Sequence, residues 1–165
     1  MGSIRMNAKN EIHSDASRNL AFQDVKKAVA TIMRQPAVTI HLTATIDAAA
    51  RLMRDEAVGM LGVLDDDGAL VGVLTDRDIA IRTIAAAEFP GNVAVSESMT
   101  ATVIVCHEAQ SVEEAAAIMG DNQIRHLPVL DAAGQLVGLF SLDMIAEDVS
   151  EHLAGETLGE VVETR

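Results

Sequence analysis

A chain of 165 residues, 49% of them hydrophobic, is long enough to bury the core of one domain or of two small ones. Its formal net charge of −13, from 12 Lys and Arg against 25 Asp and Glu, argues against nucleic-acid polymers and anionic membranes as partners, because both attract clustered cations. The absence of Tyr and Trp excludes base stacking on an aromatic platform, and the single cysteine, Cys106, excludes an internal disulfide. One cysteine favours a reducing compartment. With no apolar span or secretory signal, we expect a cytoplasmic protein.

The two ends of the chain lie outside its main pattern. Residues 1–28 are predicted to form an N-terminal extension with a helix, since apolar residues recur at helical spacing at Leu20, Val25, Val29 and Ile32. Residues 151–165 are acidic and are predicted to be a short helix or a frayed tail.

The central part of the chain repeats itself. When the sequence is shifted by 66 residues, residues 36–80 align with 102–146 without a gap, and about a third of the pairs are identical. Met53 meets Met119, and Gly72 meets Gly138. Two copies are too few for a solenoid, which needs about three. The repeat predicts two homologous units, residues 29–87 and 95–150, packed about a pseudo-twofold axis and joined by a linker at 88–94.

Each copy is predicted to run β-α-β-β-α. In the first copy, strands at 37–40, 60–64 and 69–74 accompany a helix that begins near Thr45 and a second helix at 76–87. In the second copy, the strands fall at 103–106, 127–130 and 135–140, and the helices begin near Ser111 and Asp143. Gly68 and Gly134 end the turns between the paired strands, which is typical of hairpins. The predicted fold class is α/β, of the mixed α+β kind.

With this organisation the chain resembles the tandem CBS-domain pair, also called a Bateman module. The resemblance covers about residues 29–150 and depends on motifs that occur in the same order in both copies. These motifs are the helix starts Thr45-Ile46-Asp47-Ala48-Ala49 and Ser111-Val112-Glu113-Glu114-Ala115, the strand Arg125-His126-Leu127-Pro128-Val129, and the turns Gly72-Val73-Leu74-Thr75-Asp76-Arg77-Asp78 and Gly138-Leu139-Phe140-Ser141. The stretch from Leu74 to Ala80 further resembles the small stand-alone bacterial members. The resemblance implies a regulatory module that binds an adenine nucleotide (AMP, ADP or ATP) or a related adenosyl ligand between its copies.

The resemblance assigns Thr75 and Asp78 to the ribose of such a ligand. A carboxylate can accept two hydrogen bonds from a vicinal diol, and the backbone N–H groups at a strand-to-helix turn suit phosphate. The same spacing also matches a helix N-cap pair, in which Thr75 is the cap and Asp78 is the third helical residue. The two interpretations are compatible.

The second copy departs from this motif. Ser141 keeps the hydroxyl, but Met144 stands where the alignment expects the carboxylate, and Asp143 comes one residue early. One residue rotates a helical side chain by about 100°. Ser141 and Asp143 are therefore the weaker candidates, and the site at Thr75 and Asp78 is predicted to bind better.

The resemblance implies further contacts on the strands that lead into the cleft. Arg125 and His126 are candidates for phosphate, because Arg offers a planar fork of donors and His adds charge when it is protonated. Surface ion pairing is the alternative for Arg125. The candidates for an apolar adenine cradle are Val38, Val58 and Met60, which would serve equally well as core residues.

The sequence requires neither a metal nor a resident cofactor. His41 and His107 occupy equivalent positions, but no CxxC or HxxxH spacing accompanies them, so solvated histidines are favoured over a zinc site. The turn Asp65-Asp66-Asp67-Gly68 lacks the twelve-residue pattern of a calcium loop and predicts a hairpin.

Two functions remain, and neither is catalytic, since no nucleophile elbow or metal-ligand cluster is present. The favoured one is a sensor that binds an adenosyl small molecule and signals to an unknown protein partner in trans. Such a protein is expected to form a homodimer through its Ala- and Met-rich helices at 48–53 and 115–119. The alternative is a ligand-free CBS scaffold that keeps the fold and has lost its sites.

Overall fold

The computed structural model describes residues 26–149 and 151–162, which form two three-stranded sheets with helices. The first sheet contains β1 (Thr39–His41), β2 (Met60–Leu64) and β3 (Leu70–Thr75), and the second contains β4 (Cys106–His107), β5 (His126–Leu130) and β6 (Leu136–Ser141). The helices are α1 (Ile46–Glu56), α2 (Asp76–Asp78), α3 (Val95–Ser98), α4 (Val112–Asn122), α5 (Leu142–Asp148) and α6 (Glu151–Val162), together with a 3-10 turn at Val29–Thr31 and a π-helical segment at Ile79–Ile84. This confirms the mixed α/β class.

The two sheets share one topology and one register. In each, the first two strands are parallel and are joined through a helix, as parallel strands require, and the last two are antiparallel. Ile40 lies opposite Val63, and Cys106, shifted by 66 residues, lies opposite Val129. The two antiparallel pairs also have an irregularity at equivalent positions, after Val63 and after Val129. The repeat in the sequence is therefore a repeat of three-dimensional structure.

The segment ahead of the first strand of each copy pairs with the last strand of the other copy. Arg34 and Leu139 exchange two backbone hydrogen bonds of 2.9 and 3.1 Å, and the equivalent residues Thr100 and Val73 exchange two of 2.8 and 3.0 Å. A reciprocal exchange of this kind is what a pseudo-twofold axis produces. β1 and β4 begin at Thr39 and Cys106, later than predicted, and the residues that pair with the other sheet, Arg34 and Thr100, lie five and six residues ahead of them.

The two hydrophobic cores are interlocked by these segments. Val29 and Met33 stand at the start of the first copy in sequence but are buried in the core of the second. Val93 and Val95, where the linker meets the second copy, are buried in the core of the first. Each core is thus completed by residues that a division of the sequence would give to the other unit.

Helix α6 covers the helices of the second copy. It packs against α4 and α5 and buries Ala154, Thr157 and Val161. Gly120 of α4 allows the close approach of Glu160. Residues 151–162, predicted as a short helix or a frayed tail, are therefore a docked helix. The helix predicted around Leu20 and Val25 lies outside the described residues.

The helix predicted at 76–87 is not regular. After the three residues of α2, the chain forms a π-helical segment, in which the N–H of Ala85 donates to the carbonyl of Ala80 at 3.0 Å. Two consecutive residues of this segment, Arg82 and Thr83, contact the end of α3. Arg82 donates to the carbonyls of Ser98 and Met99 at 2.8 and 2.7 Å, and the buried hydroxyls of Thr83 and Ser98 lie 2.9 Å apart. These long-range contacts have no counterpart in the local sequence pattern.

Across residues 26–149 and 151–162, none of the helices has both the length and the apolar character needed to cross a membrane.

Candidate functional site

The cleft between the two copies contains a cavity of about 270 Å³. One wall is the turn from α1 into β2, which includes Val58 and Met60, and the opposite wall is the turn from β6 into α5, which includes Ser141 and Asp143. His126, at the start of β5, also lines the cavity. Five of the nine predicted site residues therefore meet in one place, although they come from different copies.

Other lining residues were not predicted. Arg34, Gly59, Met144 and Glu147 also face this cavity. Arg34 is placed there by its pairing with β6, and no local motif in the sequence indicates that pairing. Met144 and Glu147 follow Asp143 on α5. Because residues four apart lie on the same face of a helix, the spacing of Asp143 and Glu147 could have predicted that both face the cleft.

The turn from α1 into β2 is shaped by local backbone geometry. Ala57 ends α1 in the left-handed region, with φ of 51°, and Gln123 does the same at the end of α4, with φ of 56°. The carbonyl of Gly59 then accepts a hydrogen bond from the N–H of Asp76 at 3.1 Å. This bond ties the turn to the start of α2 and holds Val58 and Met60 at the cleft.

Gly59 leaves room at the centre of the cleft. A Cβ at this position would lie 3.4 Å from Nε2 of His126 and 3.8 Å from a carboxylate oxygen of Asp76. The equivalent residue in the second copy is Arg125, whose carbonyl accepts from the N–H of Leu142 at 3.0 Å. The Arg125 side chain is exposed and does not line the cavity.

Thr75 and Asp78 form a capping box. The Thr75 hydroxyl accepts from the N–H of Asp78 at 3.2 Å, and a carboxylate oxygen of Asp78 accepts from the N–H and the hydroxyl of Thr75 at 3.0 and 2.7 Å. The other carboxylate oxygen lies 3.3 Å from the guanidinium of Arg82. Both side chains are half-buried and neither lines the cavity. The capping interpretation of this motif is therefore confirmed at atomic detail.

Ser141 differs from Thr75 because it caps nothing. The first turn of α5 has no side-chain cap, since Met144 replaces the residue equivalent to Asp78. The Ser141 hydroxyl is thus left facing the cavity beside Asp143. Val38 lies elsewhere, in a neighbouring cavity of about 610 Å³ that shares only Arg34 with the first. Arg34 is held there by an ion pair of 2.9 Å with Glu56.

Comparison with known proteins assigns the family. The model of the CBS domain matches residues 29–82 and again residues 94–151. The chain belongs to the CBS-domain family. It is 37% identical over 132 residues to the CBS domain-containing protein YhcV of Bacillus subtilis, a match that covers 79% of this chain and 92% of YhcV.

Solved structures confirm that the chain is a CBS pair. The conserved CBS domain protein TA0289 of Thermoplasma acidophilum is 25% identical, with a TM-score of 0.74 over 81% of this chain and 75% of that one. The CBS domain pair of protein MJ0100, in complex with 5′-methylthioadenosine and S-adenosyl-L-methionine, is 28% identical, with a TM-score of 0.68 over 79% of this chain and 98% of that one.

Burial lowers the pKa of His126 in this CBS pair. Desolvation is the largest cause, Arg125 acts in the same direction, and the carboxylates of Asp143 and Asp76 oppose it. The imidazole therefore stays neutral at neutral pH, and it offers hydrogen bonds to the cleft without a positive charge.

The shift at His126 predicts a pH dependence of stability. Because the folded pKa lies below the unfolded value of about 6.5, the unfolded chain binds the proton first, and stability falls as the pH drops below that value. We expect a His126→Gln variant to lose less stability than the wild type between about pH 7.5 and 5.5. Urea unfolding followed by circular dichroism measures this, with His107→Gln as the exposed control. An equal loss in wild type and His126→Gln would contradict the expectation.

Cys106 and His41 are not free for chemistry in the CBS pair. Burial raises the pKa of the Cys106 thiol to about 12, so no thiolate forms near neutral pH. His41 bonds through its two ring nitrogens to the hydroxyl of Thr43 and to Asp66, at 2.8 and 3.1 Å. Within the described part of the chain, no group of three His, Cys, Asp or Glu residues is placed to hold a metal ion.

Proposed function

We propose that this CBS pair is a regulatory module that binds an adenosine-containing ligand in the cleft between its copies. The cavity supports the proposal because it combines the two kinds of group that an adenosyl ligand needs. Val58 and Met60 offer an apolar surface to adenine, while Ser141 and Asp143 offer a hydroxyl and a carboxylate to the ribose. The similar CBS pair of MJ0100 was crystallised with two adenosyl compounds.

The proposal includes a second, pseudo-equivalent subsite. Under the 66-residue shift, Thr75 and Asp78 take the places of Ser141 and Met144, and Arg125 and His126 take those of Gly59 and Met60. Asp78 would hold the ribose there, and Arg125 would reach a phosphate. That this subsite binds better than the one at Ser141 stays a prediction, and an Asp78→Ala variant tests it.

A ligand bound at Asp78 can affect the end of α3 through Arg82. Arg82 contacts Asp78 and also donates to the carbonyls of Ser98 and Met99. A ligand that engages the Asp78 carboxylate would compete with Arg82 and loosen the end of α3. Such a ligand shifts a conformational equilibrium only if its affinity differs between the two states. A partner protein in trans would then recognise the conformation that the ligand favours.

We also propose that the module is a homodimer, through the helical face of the first copy. Ile81 and Ile84 of the π-helical segment are exposed there. The corresponding helices of the second copy are covered by α6, and Ala116 and Met119, which we predicted at a dimer interface, are buried within their own chain. These two observations favour the first copy as the surface for a second chain.

A ligand-free scaffold is the second candidate function. One observation favours it: the polar groups of Thr75 and Asp78 already satisfy one another and Arg82, so the motif is stable without a ligand. Its expected consequence is that no adenosyl compound raises the stability of the protein.

Thermal unfolding of the full chain distinguishes the two functions. The chain has no Trp or Tyr, so circular dichroism is the appropriate signal. The panel contains AMP, ADP, ATP, 5′-methylthioadenosine and S-adenosylmethionine, each at millimolar concentration. We expect at least one to raise the melting temperature, since a ligand at about 100 times its Kd adds about 2.7 kcal/mol of stability. The absence of any shift would overturn the proposal.

A matched pair of variants places the effect in the cleft. Gly59→Leu puts a side chain against His126, at the centre of the cleft, and should remove the shift caused by a ligand that binds in this cavity. Gly155→Leu makes the same change on α6, where a Cβ would meet no atom within 4 Å, and should leave the shift intact. Native mass spectrometry of the same samples reports the bound mass and whether the particle contains two chains.

A further inference from the structure

We propose that the cavity between Val58 and Asp143 takes an adenosyl ligand that carries no phosphate and is neutral or positively charged at its 5′ position. This inference depends on the proposed adenosyl function and names the ligand class for one of its two subsites. It follows from the charges around the cavity and from their contrast with the pseudo-equivalent subsite.

Carboxylates dominate the polar lining of the cavity. Asp143 and Glu147, one helical turn apart on α5, both line it. Both are exposed, and neither has a hydrogen bond or ion pair in the described part of the chain. A carboxylate oxygen of Asp76 lies 3.8 Å from the Cβ position of Gly59 and adds a third negative charge at the edge. A phosphate placed here would face three like charges.

The basic residues of the lining do not offset these charges. Arg34 lines both cavities, and its charge is balanced at 2.9 Å by Glu56, which lines the neighbouring one. His126 is neutral at neutral pH because burial lowers its pKa. A phosphate would share Arg34 with Glu56 and would find no other charged cation among the residues that line the cavity. A neutral thioether or a cationic sulfonium at the 5′ position needs no cation.

The pseudo-equivalent subsite has the opposite charge. Asp143 is replaced there by Arg77, Glu147 by Ile81 and Gly59 by Arg125. Arg34 and Met144 are exchanged in the opposite direction, for Thr100 and Asp78, so the formal charge of the lining changes from −1 (Arg34 against Asp143 and Glu147) to +1 (Arg77 and Arg125 against Asp78). Phosphates are therefore directed to the subsite at Thr75, and the cavity at Ser141 is left to ligands without them. The two halves of the cleft are specialised although their backbones repeat.

Isothermal titration calorimetry tests this assignment in the full chain. An Asp78→Ala background weakens the pseudo-equivalent subsite, so the titration reports the cavity. The probes are 5′-methylthioadenosine, S-adenosylmethionine and AMP. We expect at least one of the first two to bind about tenfold or more tightly than AMP, a difference of about 1.4 kcal/mol. AMP binding that is equal to or tighter than both would overturn the inference while leaving the proposed function standing.

Charge variants provide the matched comparison. Glu147→Gln should weaken S-adenosylmethionine by about threefold and leave 5′-methylthioadenosine within about twofold, because only the former is cationic at sulfur. Glu147→Arg, which reverses the charge without touching the ribose candidates Ser141 and Asp143, should tighten AMP. The control Asp67→Asn removes the same charge from an exposed turn and should change none of these affinities. If that control weakens S-adenosylmethionine equally, the local assignment fails. If no probe binds to any form, including the parent chain with Asp78, the proposed function itself fails.

Discussion

Replacing Phe140 with Ala will lower the free energy of unfolding by about 3–5 kcal/mol. Phe140 is the largest of the fully buried side chains and lies in the core of the second copy, opposite Leu127. Its removal loses the burial of the ring and leaves a cavity that the interlocked core can refill only in part. Urea unfolding followed by circular dichroism at 222 nm measures the change.

Two further variants set the scale for Phe140. Leu74 occupies the equivalent place in the first copy, is also fully buried, and should cost about 2–5 kcal/mol when replaced by Ala. Phe89 is 71% exposed, so Phe89→Ala should change stability by no more than about 0.5 kcal/mol. A loss below about 1 kcal/mol for Phe140→Ala would mean that the second core is not packed as described.

Replacing Gly138 with Val will destabilise the protein by about 3 kcal/mol, because no side chain can be accommodated at this crossing. A Cβ on Gly138 would lie 2.5 Å from Sδ of Met33 and 3.0 Å from the carbonyl oxygen of Arg34. That carbonyl accepts the backbone hydrogen bond from Leu139, so the segment cannot move away without breaking the pairing that interlocks the copies. The loss is measured as a fall in the midpoint of urea unfolding.

The same substitution elsewhere is the control for Gly138. Gly155→Val lies on α6 in open space and should be close to neutral. Adding Met33→Ala to Gly138→Val relieves the contact with sulfur but leaves the contact with Arg34, so it should recover only part of the loss. Full recovery would show that the backbone crossing is looser than the structure describes.

The copies differ in chemistry more than in fold. Their registers, turns and crossings repeat at 66 residues, yet the Thr75–Asp78 box is intact while Ser141 has no capping partner. The open hydroxyl, the neutral His126 and the carboxylate of Asp143 lie around one cavity. This asymmetry gives a two-copy module two different subsites, and it is the basis for expecting more than one kind of ligand.

The turn motifs were predictable from the sequence because their interactions are local. The capping boxes at Thr75 and at Ser111 join residues three apart, and spacing alone indicates such contacts. The acidic turn was predictable for the same reason: one carboxylate oxygen of Asp65 accepts from the N–H groups of Asp67 and Ala69, as in a hairpin. The π-helical segment was missed, because it follows contacts of Arg82 and Thr83 with residues about 16 positions away.

The composition of the cavity could not be read from the sequence. Val58 and Ser141 lie 83 residues apart and in different copies. Alignment of the two copies shows which residues are equivalent, but it does not show which residues of one copy contact the other. Arg34 carries no motif and reaches the cleft only because its backbone pairs with Leu139. The predicted site residues were therefore divided between two subsites, with Val38 in a neighbouring cavity and Arg125 on the surface.

By itself, the sequence determined the duplicated β-α-β-β-α unit, the absence of an aromatic platform and the turn chemistry. Periodicity and capping depend on residues that are close in the sequence, and composition is a simple count. Only the tertiary structure decided which copy completes which core, where α6 docks, and which side chains share a cavity. The physical reason is that these outcomes depend on backbone pairing and burial between segments far apart in the chain. The net charge of −13 likewise did not show where the carboxylates lie, and only the structure places Asp143 and Glu147 in the cleft.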